Sequence, residues 1–122
     1  MSDTPETLDV LLKKLLAAIP EVTAAAIVSV EGLPISSAVS QDVDETRIAA
    51  MTAAILSLAE RAIHEMNKGD FENILVKGTK GYLLVLQAGR NAVLTVSTTS
   101  DIRLGLILLD AKRSCDRIAN LI

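Results

Sequence analysis

The stretch NILVKGTKGYLLVLQAGRNAVLTVST, residues 73–98, decides the fold. Three runs rich in Leu, Val and Thr, at Asn73–Lys77, Tyr82–Ala88 and Ala92–Thr98, are separated by Gly78-Thr79-Lys80-Gly81 and by Gly89-Arg90-Asn91. Glycine-bearing links this short join antiparallel neighbours, because a parallel crossover needs about a dozen residues or more. The middle run, Leu83-Leu84-Val85-Leu86, has no polar alternation. Both of its faces must therefore be covered, and a sheet with helices on both sides follows.

Downstream, Ser100 or Asp101 is placed to cap a last helix whose buried stripe reads Leu104, Leu108, Ala111, Cys115, Ile118 and Ile122. Upstream, Asp42 and Glu45 have the spacing of a capping box, and a long middle helix is predicted from there to about Lys68, ending at Gly69. Before it, Thr23–Val30 and Pro34–Val39 read as a hairpin around Glu31-Gly32-Leu33. The first helix starts at Thr4-Pro5, carries Leu8, Leu11, Leu12, Leu15, Leu16 and Ile19 on one side, and stops at Pro20. The predicted order is αββαβββα, an α+β fold.

The middle helix has more apolar surface than one sheet can use. One stripe, Ile48, Met51, Ile55, Leu58, Ala62 and Met66, is assigned to the chain's own core; a second, Ala49, Leu56 and Ile63, is assigned to a partner. Alanines at positions 50, 53 and 54 let another helix approach closely. A helix packed on two sides by its own domain is the alternative.

Half of the 122 residues are apolar, enough for one domain spanning residues 1–122 to bury a core without disulfides or a structural metal. The lone Cys115 and the lack of a cationic leader point to the cytoplasm. No apolar run approaches the roughly 18–20 residues that span a bilayer, so membrane insertion is not expected. Twelve Lys and Arg against fifteen Asp and Glu give a net charge of −3, and Phe71 and Tyr82 are the only aromatics. Nucleic-acid binding would lack both a basic stripe and a stacking platform.

Candidate chemistry is sparse. His64 falls on the solvent side of the middle helix, without a nucleophile and an orienting acid to complete a triad. Cys115 sits in a core stripe as a small hydrophobe. Asp42, Asp44 and Glu45 are better explained by a helix N-terminus than by a metal. Lys77-Gly78-Thr79-Lys80-Gly81 lacks the spacing of a phosphate-binding loop and reads as a hairpin turn. No catalytic residue, cofactor or metal ligand set is assigned, and the chain is not expected to be an enzyme.

Several local sequences resemble one family. Ala26-Ile27-Val28-Ser29-Val30-Glu31-Gly32-Leu33-Pro34-Ile35 is similar to the first hairpin of the Roadblock family, related to dynein light chains and including prokaryotic members that work with small Ras-like GTPases. The Gly-flanked hairpin ending in Tyr82-Leu83-Leu84-Val85, and Leu104-Gly105-Leu106 before Ala111-Lys112-Arg113, extend the resemblance over essentially the whole chain. Glu31 stands where aspartate is commoner in the turn; either acid can accept local amides.

The resemblance implies a profilin-like, five-stranded antiparallel sheet in the order 2-1-5-4-3, with the middle helix on one face and the other two on the opposite face. It implies pairing with a second copy or a paralogous Roadblock protein through the third strand, Asn73, Ile74, Leu75, Val76 and Lys77, and through Ala49, Leu56 and Ile63 of the middle helix. It further implies a non-enzymatic platform, scaffolding or GTPase-activating, on which a small Ras-like GTPase would face Ala53, Glu60 and His64. No arginine finger is carried over, so Arg47, Arg61, Arg90 and Arg103 have no assigned role. The competing reading is a small-ligand sensor, which needs a cavity with convergent polar groups; Ser29, Thr95 and Ser97 are the only polar residues well inside the strands.

Overall fold

The computed structural model describes residues 6–39 and 43–122. Thr4, Pro5 and Asp42, read above as parts of helix starts, lie outside the described residues. The elements are α1 (Leu8–Ala18), β1 (Val22–Ser29), β2 (Pro34–Ala38), α2 (Glu45–Glu65), β3 (Asn73–Gly78), β4 (Gly81–Gln87), β5 (Ala92–Thr98) and α3 (Leu104–Leu121). The expected order αββαβββα is observed. The five strands form one antiparallel sheet in the order β2-β1-β5-β4-β3.

Covering both faces divides the core in two. Leu84 and Leu86 of β4 point, with Ile27, Leu94 and Val96, into a cluster closed by Leu11, Leu12 and Leu15 of α1 and by Ile107, Ala111, Cys115 and Ile118 of α3. Val85, between them, points the other way and joins Ala26, Val28 and Val93 beneath Ala49 and Leu56 of α2. The period-2 geometry of a strand turns an unbroken apolar run into two half-cores. One helix on one face and two on the other is the expected layering.

Helix ends differ from expectation by a few residues. Thr7 caps α1, its hydroxyl accepting from the Val10 amide at 3.2 Å. Asp44 caps α2, one carboxylate oxygen accepting from the amides of Thr46 at 3.0 Å and Arg47 at 3.2 Å. At the other end of α2 the left-handed residue is Asn67, φ 56°, and not Gly69 alone. The Lys68 amide donates to the Ile63 carbonyl at 2.9 Å and the Asn67 amide to His64 at 3.1 Å, the paired bonds of a Schellman cap. Neither Ser100 nor Asp101 caps α3, which starts after Arg103 with no side-chain cap bond. Its buried line is Ile107, Ala111, Cys115 and Ile118; Leu104 and Leu108 flank it, and Ile122 is exposed. Packing of that line on the sheet, not a cap, sets where α3 begins.

The faces of α2 differ from those predicted, although Ile48 packs against the core as expected and Ile55 is half-buried. Ala49, Thr52 and Leu56 are buried against the sheet, whereas Met51, Leu58 and Met66, assigned to the core, are exposed. Ala49 and Leu56 are therefore unavailable to a partner. Close approach decides the matter: Gly32, in the β1–β2 turn at φ +96°, lies so near α2 that an added Cβ would sit 3.3 Å from that of Ala53. Only a narrow line of the helix fits that contact, and bulkier side chains are left outside it.

Candidate interaction surface

Twenty-one residues make α2 a rod of about 30 Å. Its buried residues all lie before Ser57; beyond, only Ala59 and Ile63 are half-buried. The C-terminal half thus stands largely free of its own domain. Along one flank run Met51, 53% exposed, half-buried Ile55, Leu58, 65% exposed, and exposed Ala62. The other flank carries half-buried Ala53 with exposed Ser57, Glu60 and His64, so these sequence-predicted residues do share one side.

The two sheet edges differ in how they are protected. On β2, Pro34 offers no amide, the register with β1 shifts between Ile27 and Val28, and Asp9 of α1 accepts a hydrogen bond from Ser36. Proline and a bulge are devices that blunt an edge. The β3 edge has neither: its pairing with β4 runs without a shift from Asn73 opposite Leu86 to Gly78 opposite Gly81. Leu75 and Val76, on opposite faces of β3, are 43% and 42% exposed. Lys77 extends over Tyr82, its Nζ 5.9 Å from the ring centroid.

Between the apolar flank of α2 and the sheet lies a groove of about 280 Å³, walled by Ile48, Met51, Ile55 and Leu83. It exists because the sheet beneath presents small side chains, Ala24, Ala26, Thr95 and Ser97. At its floor the buried hydroxyls of Thr52 and Thr95 bond to each other at 3.0 Å. Sequence reading missed this pairing; Thr52 facing Thr95 becomes visible only once the inward face of α2 is known.

Elsewhere, Cys115 is buried as expected. Burial, followed by the neighbouring Asp116 carboxylate, pushes its thiol up to about 12. Gly78–Gly81 forms a tight hairpin turn, as expected. No helix among the described residues is long and apolar enough to cross a membrane.

A family model described as the Roadblock/LC7 domain covers residues 8–98, from the start of α1 to the end of β5. The chain belongs to the Roadblock/LC7 family. Among relatives, the uncharacterised protein MJ0310 of Methanocaldococcus jannaschii is 35% identical over 92 residues, 75% of this chain and 80% of that protein. A Roadblock/LC7 domain from Streptomyces avermitilis has the same fold, with a TM-score of 0.88 at 22% identity over 94% of this chain and 97% of that one. MglB of Myxococcus xanthus superposes with a TM-score of 0.87 at 24% identity over 93% of each chain. Profilin II of Acanthamoeba castellanii, at a TM-score of 0.69 and 14% identity over 93% of this chain and 98% of that one, places the Roadblock/LC7 fold in profilin-like company.

Proposed function

We propose that the chain is a non-enzymatic, dimeric platform that binds and regulates a small Ras-like GTPase, as its resemblance to Roadblock proteins implies. One observation carries the reading: α2 exposes an apolar flank, and the same molecule keeps a β3 edge with neither proline nor bulge, on which Leu75 and Val76 are exposed. Exposed apolar side chains along a helix and an open strand edge both invite association. The partner is a second copy or a paralogous Roadblock protein. Its contacts are Met51, Leu58 and Met66 together with β3, in place of Ala49 and Leu56. The opposite flank of α2, with Ala53, Glu60 and His64, is left to the GTPase.

Calorimetric titration of the purified chain with Ras-like GTPases of the same organism, each loaded with GDP or with a non-hydrolysable GTP analogue, tests the proposal. Saturable binding to one of them, stronger in one nucleotide state, is expected. Absence of binding to all of them in both states would overturn it.

A second reading, a small-ligand sensor, is favoured by the groove beside Thr52 and Thr95, whose apolar walls and hydroxyl floor suit an uncharged ligand. Its volume lies at or below the small end of ligand sites, and its mouth lies on the flank assigned to the second copy.

A further inference from the structure

The floor of the groove beneath α2 is built differently from the rest of that sheet face. Beneath Ala49 and Leu56 the sheet carries Val28, Val85 and Val93, which fill the contact. Beside Met51 and Ile55 it carries Ala24, Ala26, Thr95 and Ser97, and a volume of about 280 Å³ is left between helix and strands. No ionisable side chain among the described residues lines it.

Thr52 and Thr95, 2% and 5% exposed, both line this groove and bond to each other at 3.0 Å. Among the described residues neither hydroxyl has a further partner. A hydroxyl carries one hydrogen and two lone pairs, so in such a pair one hydrogen is spent and the other is not. A buried O–H without an acceptor is costly, and valine, with the shape of threonine, would fill either position without one. Ser97, two residues along the same face of β5, accepts from Thr23 at 3.2 Å and likewise donates to no described residue. An apolar groove thus offers two unspent O–H donors and no charge.

We propose that this groove binds a small, neutral, mostly apolar molecule through a carbonyl oxygen that accepts from the Thr52–Thr95 pair. This inference rests on the ligand reading above and goes beyond it by naming the chemical class and the residues that select it. A few placed polar groups in an apolar site fix the orientation of what binds there. A charged ligand would be buried without a counter-charge, which excludes carboxylates and amines. A hydrocarbon would leave the spare hydrogen of the pair unspent. The volume, just below the roughly 300–1,000 Å³ of most ligand sites, suits a fragment-sized molecule and not a nucleotide.

Amide chemical shifts of the full chain, followed during titration with acetophenone, ethylbenzene or benzoate, test the assignment. The three probes share a ring and differ in carrying a carbonyl, no oxygen, or a charge. Acetophenone should give saturable shifts at Thr52, Ile55 and Thr95, and benzoate should give none. In Thr52→Val/Thr95→Val, which keeps both side-chain shapes, the preference for acetophenone over ethylbenzene should fall about fivefold, the equivalent of one hydrogen bond. An unchanged preference, or benzoate bound as tightly as acetophenone, overturns the proposal and leaves the ligand reading standing. No saturable shift with either neutral probe, in the unmodified chain and in Leu58→Asp alike, overturns both. Probes that bind Leu58→Asp but not the unmodified chain would show that a second copy fills the groove, which also overturns the proposal. The GTPase titration is read separately, so none of these results decides the platform.

Discussion

The hydroxyls of Thr52 on α2 and Thr95 on β5 lie 3.0 Å apart, both buried, within an otherwise apolar contact of helix and sheet. Each satisfies the other, so neither is an orphan while both are present. Removing one leaves a buried hydroxyl alone at a cost of about 1–3 kcal/mol, whereas replacing both with groups of the same shape is nearly neutral. Thr95→Val should therefore lower the urea midpoint more than the double variant Thr52→Val/Thr95→Val. Additive losses, the double variant costing the sum of the two single ones, would show that the two hydroxyls are not coupled.

Leu56 and Leu58 are two residues apart on α2 and face opposite environments, one 2% exposed and the other 65%. Leu56→Asp buries an unpaired charge at a cost of about 3–5 kcal/mol, a large part of a small domain's stability. Circular dichroism should show partial or complete unfolding. Leu58→Asp should keep the helical signal at 25 °C and sediment as a monomer.

This pair also shows where sequence reading reached its limit. The strands, their links and the two-sided cover of β4 were legible, because an unbroken Leu83–Leu86 run and short glycine-bearing links admit one arrangement. The existence of two apolar stripes on α2 was legible too. Which stripe faces inward was not, because bulk alone favours Met51 and Leu58, and the deciding contact comes from Gly32, in a turn distant in sequence. The caps at Thr7 and Asp44 were displaced by small amounts, since several Ser, Thr and Asp residues nearby have similar capping chemistry. The asymmetry of the two sheet edges needed the bulge opposite Ile27 and Val28, which no local pattern announces.

Gly81 and Gly105 should respond in opposite directions to the same change. A Cβ on Gly81 would fall 2.0 Å from the Thr98 carbonyl oxygen, so Gly81→Ala forces the β4–β5 contact apart. A loss of about 1–3 kcal/mol is expected. Gly105, inside α3, has open space around it, and Gly105→Ala should add up to about 0.5–1 kcal/mol through helix propensity. Thermal melts of both variants check the two signs.

Cys115 gives the fold an alkaline limit. Its thiol titrates at about 12 in the folded chain against an ordinary 9.0, so between these values the unfolded chain loses a proton that the folded chain keeps. The stability contributed by keeping the thiol neutral is full below about pH 9 and is lost as pH rises toward 12. Urea midpoints should fall across that window, and Cys115→Ala should flatten the fall. At neutral pH the native thiol should resist alkylation until the chain is unfolded.

Sedimentation equilibrium of the unmodified chain, from one to a hundred micromolar, tests the dimeric platform most directly. The exposed flank of α2 and the open β3 edge predict a mass twice the 12.9 kDa of one chain across that range. A mass of one chain at the highest concentration would contradict the account.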